Sequence, residues 1–364
     1  MILKTLELKD FRNYEAEEVV FHEKINILTG RNAQGKTNLI EAVNLLALGK
    51  SFRTRKEQEL IRFNAEEARV KGVFEKKDRP HTTEVRLGTG SASKKTYLVN
   101  EVETGTVSDL LGGVYTIVFS PEDLRIVKGD PETRRRFLDR ELILLKPLYY
   151  HKLKKYRQVL KTRNAVLKSE HPSTDLLDVY DSQLAEAAAA VMKERAEWIK
   201  ALSEAAEAAD ASITAGAEEL RIEYRPCLSQ IGDEGQKDAI LETFRKGRER
   251  DILTRSTEMG PHRDDFSIFW AGIDLRIYGS QGQQRTAALS LRLAERELIK
   301  KETGEDAILL LDDVMSELDS DRQERLLGSF GENQIFITAA GPFHEEALKL
   351  RASKVIRVEK GRIL

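Results

Sequence analysis

Residues 1–8, Met-Ile-Leu-Lys-Thr-Leu-Glu-Leu, alternate apolar and polar side chains, the period of a strand with one face on a core. Residues 69–74, 83–87 and 95–100 carry the same signal, and Glu18-Val19-Val20-Phe21 belongs to the same α/β region. Residues 24–29 form a short apolar run of strand character, and residues 38–48 read as helix. Residues 115–119 and 307–311 are continuously apolar, which predicts strands buried on both faces. Residues 334–338 and 355–358 supply two more strands. Between these α/β regions the pattern turns helical. Gly129-Asp130-Pro131-Glu132 is a helix start, with Asp130 as N-cap and Pro131 in the first turn. From there to about residue 253 almost everything reads as helix, punctuated by Pro147 and Pro172. The longest helix is expected at about 181–211. Leu184, Ala188, Val191, Arg195, Trp198, Leu202, Ala205 and Ala209 form a seam on it that should pack on a neighbouring helix of the same chain. Residues 266–270 and 274–278 read as a hairpin around Ala271-Gly272, followed by a helix over 286–301.

The predicted fold class is α/β. One body uses residues 1–122 and 254–364, and a mostly α-helical domain, residues 123–253, is inserted into it. Its 364 residues and 40% hydrophobic content support a sizeable core, and 33% charge implies large exposed helical surfaces. A net charge of −2 argues against a uniformly basic nucleic-acid binder but leaves room for a local basic face. The one cysteine, Cys227, excludes a disulfide framework within a monomer. No apolar run is long enough for a membrane span and the first residues have no signal-peptide form, so a cytoplasmic protein without a membrane partner is expected.

The chemistry begins at Gly30-Arg31-Asn32-Ala33-Gln34-Gly35-Lys36-Thr37, a G-x-x-x-x-G-K-T pattern between a predicted strand and a predicted helix. A strand turning through glycines into a helix aims successive N–H groups at one point, where the helix dipole and Lys36 add positive charge. This is a phosphate cradle: Lys36 would reach the β- and γ-phosphates, and the Thr37 hydroxyl would ligate Mg²⁺. A second acid for the metal should end a buried strand, and Asp312-Asp313 after 308–311 fits. Asp312 would hold Mg²⁺ through its water shell, while Asp313 would orient or deprotonate the attacking water. Gly279-Ser280-Gln281-Gly282-Gln283-Gln284-Arg285 opens another helix, a second anion site that either touches the same nucleotide or serves another copy's.

These motifs, with Phe11-Arg12-Asn13-Tyr14, residues 49–54, 121–139 and 260–265, and Ser316-Glu317-Leu318-Asp319, resemble the ATPase head shared by ABC proteins and SMC-type DNA-repair ATPases, and within that group the RecF family. The resemblance spans the chain. It implies an ABC/SMC-like P-loop ATPase head that binds ATP and Mg²⁺, with Arg12, residues 30–38 including Asn38, and Ser280, Gly282 and Gln283 around the nucleotide. Two copies would sandwich ATP, each P-loop facing the other's Ser280 loop. It further implies binding to double-stranded and gapped DNA, RecR and RecO as partners, and help in loading RecA. Asp313 stands where ABC proteins usually place Glu, so slow hydrolysis is expected, and Thr338-Ala339-Ala340 stands where a histidine is usual.

Residues 145–169 hold eight basic side chains and no acid, interleaved with Tyr149, Tyr150 and Tyr156. Lys152, Lys154, Lys155, Arg157, Lys161 and Arg163 are the expected DNA contacts, reading shape and charge rather than sequence. Arg53, Arg55 and Lys56, or Arg245, Lys246, Arg248 and Arg250, are further candidates. Arg134, Arg135 and Arg136 suit either a helix-face or a nucleotide-proximal role. The alternatives are a transporter-driving ABC ATPase, a P-loop kinase or GTPase, and a clamp that binds ATP without turnover. The first meets a long, partly basic insertion with no recognisable coupling surface. The second lacks an Asn-Lys-x-Asp element.

Overall fold

The computed structural model describes residues 1–54, 56–89, 95–214, 219–228, 235–315, 320–339 and 353–364. The Ser316-Glu317-Leu318-Asp319 motif, Arg55 and Ala340 lie outside them. The chain divides into two units, residues 1–123 with 292–364, and residues 124–291.

In the first unit, β1 (Ile2–Phe11), β2 (Tyr14–Val20), β4 (Glu67–Lys76), β5 (Arg79–Gly88), β6 (Thr96–Val99) and β7 (Val102–Thr104) form an antiparallel sheet in the order β2-β1-β4-β5-β6-β7. β4 alternates buried and part-exposed side chains, as its sequence period requires. The second sheet is β15-β14-β3-β13-β12-β8, from β3 (Ile25–Thr29), β8 (Thr116–Phe119), β12 (Ile308–Leu311), β13 (Ile335–Ala339), β14 (Ser353–Glu359) and β15 (Arg362–Ile363). β14, β3, β13, β12 and β8 run parallel, and β8, β12 and β3 are buried along nearly their whole length. Helix α1 (Lys36–Leu48) packs against strands of both sheets, and Leu39, Leu45, Leu46, Val70, Phe74, Leu310 and Phe336 share one core. Buried Gln334 ties the sheets together: its side chain accepts from the Leu3 N–H (2.7 Å) and donates to the Leu3 and His22 carbonyls (2.8 and 2.9 Å).

The second unit holds α2 (Leu124–Lys128), α3 (Pro131–Leu145), α4 (Pro147–Leu167), α5 (Thr174–Thr214), β9 (Leu220–Arg225), α6 (Gln236–Thr254), β10 (Asp265–Trp270), β11 (Ile273–Asp274), α7 (Leu275–Tyr278) and the start of α8 (Gln281–Thr303). Asp130 caps α3, accepting from the Thr133 N–H at 2.7 Å, and Pro147 opens α4. α5 packs on both α4 and α6, and at 41 residues it is longer than expected, about 60 Å by helical rise. Most of its seam is buried; near the end Ala206 takes the buried place expected of Ala205.

Three local expectations are corrected. Residues 220–225, Leu-Arg-Ile-Glu-Tyr-Arg, alternate with period two and pair with β10 as a strand within the region expected to be helical. The hairpin turn at Ala271-Gly272 forms, but its second strand is only Ile273–Asp274. The Asp274 carboxylate then accepts from the Arg276 N–H (2.9 Å) and starts a helical turn in place of the strand expected to 278. α8 begins at Gln281, ahead of the expected residue 286. Because β9 draws β10 and β11 into one sheet, residues 254–291 group with the helices and not with the first unit, where the sequence pattern assigned them.

Candidate functional site

β3, β13 and β12 are parallel neighbours, so their carboxyl ends lie together, the usual ligand-binding edge of such a sheet. The chain leaves β3 through Gly30 (φ +142°), Ala33 (φ +62°) and Gly35 (φ +122°) and enters α1 at Lys36. Glycine is required at position 30 because a Cβ there would sit 2.3 Å from the Val358 carbonyl oxygen. The first turn of α1 has no side-chain cap and no acid, an arrangement of N–H groups and dipole that suits an anion. Lys36 is buried, and its ammonium donates to the Gly30 and Arg31 carbonyls (2.7 and 3.0 Å). Arg31, Asn32 and Ala33 are exposed on the rim.

The loop is held from behind by two segments distant in sequence. Tyr14 Oη donates to the Gly35 carbonyl (3.0 Å) and Asn13 Nδ2 to the Gln34 carbonyl (2.8 Å). From the β14–β15 turn, the Gly361 N–H also donates to the Gln34 carbonyl (2.9 Å), and the Lys360 N–H to Gln34 Oε1 (2.7 Å). Asn38 donates to Asn13 Oδ1 (2.8 Å) and accepts from Arg53 (2.8 Å). Arg12 grips buried Glu41 of α1 with two bonds, 2.8 and 2.7 Å, and donates a third to the Glu59 carbonyl (2.8 Å). Ser51 bonds the same carboxylate. Arg12 thus fastens the helix to the turn after β1, a bidentate pairing that fixes direction as well as distance.

At the end of β12, Asp312 is 8% exposed and its Oδ1 accepts from the Thr37 hydroxyl at 2.8 Å, across 275 positions of sequence. Burial raises its carboxyl above the ordinary range, opposed by the hydrogen bonds from Thr37 and Thr338. Asp313 follows in the left-handed region (φ +55°). Thr338 of β13 joins both acids: its Oγ1 lies 3.1 Å from Asp312 Oδ1 and 3.2 Å from Asp313 Oδ1, and accepts from the Asp313 N–H at 2.9 Å. Among the described residues no cluster of three or more His, Cys, Asp or Glu could cage a metal. One hydroxyl beside one carboxylate suits Mg²⁺, which keeps several waters and takes phosphate oxygens.

In the second unit, Ser280 and Gln283 cap each other at the start of α8. The Ser280 N–H donates to Gln283 Oε1 (2.9 Å) and the Gln283 N–H to Ser280 Oγ (3.3 Å), a reciprocal capping box. Buried Gln284 anchors this turn by donating to the Leu275 carbonyl (2.7 Å). Gly282 is exposed, and a Cβ there would meet nothing within 4 Å.

The model of the RecF/RecN/SMC N terminal domain matches residues 2–362. The DNA replication and repair protein RecF of Clostridioides difficile (strain 630) is 40% identical over 368 residues, covering 100% of this chain and 98% of that protein. The chain belongs to the RecF family. The solved structure of the recombination mediator protein RecF-ATP in the RecFOR pathway superposes with a TM-score of 0.93 at 34% identity, covering 100% of this chain and 97% of that one. An SMC head bound to the C-winged helix domain of ScpA, at 18% identity and TM-score 0.56, shares the fold. The architecture is therefore the RecF/SMC ATPase-head fold, mixed α/β.

The basic stripe of this RecF-family chain needs correction. Arg163 is 0% exposed; it bonds Asp181 (2.6 Å), Asp251 (2.7 Å) and Thr257 (2.7 Å), and no phosphate can reach it. Tyr149 and Tyr156 are buried too, their hydroxyls bonded to Asp139 (2.7 Å) and His262 (2.6 Å). Tyr149, Leu153, Tyr156, Arg163 and Leu167 fall on one helical face, a spacing legible in the sequence. Lys152 pairs with Glu194 (2.5 Å), Lys155 with Glu186 (2.8 Å) and Arg157 with Asp139 (2.9 Å). Lys154 and Lys161 are exposed. Among the further candidates, Arg248 pairs with Asp178 and Asp181 (both 2.6 Å). Arg134 grips Asp265 with two bonds (2.6 and 2.8 Å) and Arg135 donates to the Asp264 carbonyl (2.7 Å), so both serve packing within their unit, while exposed Arg136 pairs with Glu132.

Sequence reading missed Glu41, whose signal is a lone acid in an apolar helix, and named Thr338, the polar exception in the run Ile-Phe-Ile-Thr-Ala, only as standing where a histidine is usual. The backbone donors of Lys360 and Gly361 leave no side-chain signal.

Proposed function

We propose that this chain is an ATP-dependent DNA-binding protein of recombinational repair and replication-fork recovery, with a slow, Mg²⁺-dependent ATPase activity that resets it. The observation that carries the reading is the 2.8 Å bond between Thr37 and Asp312, which couples the phosphate cradle to the acid at the end of β12. Arg31, Asn32, Ala33 and Gln34 wrap the phosphates. Lys36 exchanges its carbonyl partners for β- and γ-oxygens, and the α1 N–H groups neutralise the remaining charge. Thr37 and Asp312 would hold Mg²⁺, which supplies charge neutralisation on the phosphates when bound. Asp313 orients water for attack. Arg12 and Asn38 fix the frame on which these groups sit.

Binding of ATP joins two copies, each P-loop facing the partner copy's Ser280, Gly282 and Gln283. The open space at Gly282 and the capped α8 terminus support such an approach. The dimer holds gapped DNA, works with RecR and RecO in loading RecA, and acts in the cytoplasm. No helix among the described residues is long and apolar enough to cross a membrane. A role driving a transporter has no support, since the relatives are DNA replication and repair proteins.

Sedimentation with ATP, ADP or neither, with and without gapped DNA, tests the reading. Dimers that form with ATP and dissociate with ADP are expected. A chain that stays monomeric when saturated with a non-hydrolysable ATP analogue overturns it.

A further inference from the structure

β13 is buried from end to end and reads Ile-Phe-Ile-Thr-Ala. A valine would fill the place of Thr338 equally well in shape, so the hydroxyl itself calls for a reason. Thr338 is 2% exposed, and its hydroxyl stands at the junction of the two acids. The parallel register aligns Leu311 with Ile337, which sets Thr338 beside Asp312. The Asp313 N–H meets Thr338 Oγ1 at 2.9 Å.

We propose that Thr338 is a positioning residue for ATP hydrolysis, its single hydroxyl proton shared between Asp312 and Asp313 so that two adjacent carboxylates take different roles. The inference rests on the nucleotide-site reading above. Oγ1 uses one lone pair on the Asp313 N–H, which directs its proton toward the carboxylates. Two acceptors compete for it, Asp312 Oδ1 at 3.1 Å and Asp313 Oδ1 at 3.2 Å. Asp312 Oδ1 already accepts from Thr37 at 2.8 Å, so it is served without Thr338. Donation to Asp313 fixes that carboxylate by two contacts, side chain and backbone. Its Oδ1 is held against the strand, which sets where this carboxylate stands when it takes a proton from water. Asp is one methylene shorter than the Glu usual at this place in ABC proteins, so it depends more on such a tether.

Thr338→Val removes the hydroxyl and keeps the shape; Thr338→Ser keeps the hydroxyl. Affinity is read with a fluorescent ATP analogue, hydrolysis by single turnover at saturating ATP, and the carboxylate stretching bands by infrared difference spectroscopy of the nucleotide-free proteins. For the valine variant the expected results are affinity within about threefold of wild type, turnover lower by about 10–100-fold, the range for losing an outer partner of a catalytic ligand, and a shifted carboxylate band. The serine variant should recover turnover and band position. Wild-type turnover in the valine variant overturns the proposal. So does a valine variant that loses affinity and turnover together with no rescue by serine, which would make Thr338 purely structural. A wild-type chain that fails to bind the analogue overturns the nucleotide-site reading itself, and this inference with it.

Discussion

Arg195 and Asp264 lie 69 positions apart and form a buried ion pair, Nη1 to Oδ2 at 2.9 Å. Arg195 is the charged member of the α5 seam and is 2% exposed. Its guanidinium also donates to Asp139 (2.8 Å), the Pro261 carbonyl (2.6 Å) and Tyr149 Oη (3.1 Å). Asp264 in turn accepts from the Tyr224 hydroxyl and from the Cys227 N–H (2.9 Å). The Gly260-Pro261-His262-Arg263-Asp264-Asp265 stretch therefore acts as the polar hub of its unit, joining α3, α4, α5 and β9. Removing one partner strands a buried charge, and Arg195→Leu should destabilise by about 3–5 kcal/mol. Chemical denaturation measures this. A loss below about 1 kcal/mol would show that the hub is not needed for stability.

Gly361 has φ +73°, and a Cβ there would come within 2.1 Å of the Asn13 carbonyl oxygen. Gly361→Ala should push the β14–β15 turn away from Gln34 and lower ATP affinity several-fold while the fold survives. Lys360→Ala keeps the backbone donor to Gln34 and should bind as wild type. Equal affinity in all three proteins would remove the turn from support of the P-loop.

Lys36→Met should abolish ATP binding and, with it, ATP-dependent dimerisation. Ser280→Arg should keep monomer ATP binding and lose only dimerisation, since Ser280 caps α8 at an exposed terminus. Calorimetry and sedimentation separate the two variants. A Ser280→Arg protein that still dimerises on ATP would move the dimer interface elsewhere.

Lys154→Glu with Lys161→Glu should weaken DNA binding and reduce the slope of log affinity against log salt by up to about 2, one for each phosphate no longer neutralised. Arg163→Ala should lower stability by taking the Arg163 ion pair from buried Asp251 and one of two arginine partners from Asp181, which keeps Arg248, without changing that slope in the protein that remains folded. Unchanged DNA affinity in the double lysine variant would place the DNA surface away from α4.

What was legible depended on how local each signal is. The P-loop, the buried strand before Asp312 and the Asp130 cap are written in contiguous residues, and each formed where the pattern put it. The strand at 220–225 was hidden among helices because its partner, β10, begins 40 residues beyond β9 Arg225, at Asp265. The helix at 275–278 was hidden because a single Asp274 cap outweighs an alternating run of five residues.

The P-loop pattern, the paired acids and the α/β class could all be read from the residues alone, because backbone conformation and side-chain period are short-range. The fold then set which acid meets each buried base. Arg163 and Arg195 lie on helix faces whose spacing marks them for packing, but the acids that let them be buried, Asp181, Asp251, Asp139 and Asp264, come to them from elsewhere in the chain. A charge can leave water only where opposite charge and hydrogen-bond acceptors meet it, and that meeting is made by the fold. The same holds for Thr338, whose hydroxyl acquires its two carboxylates when β13 settles beside β12.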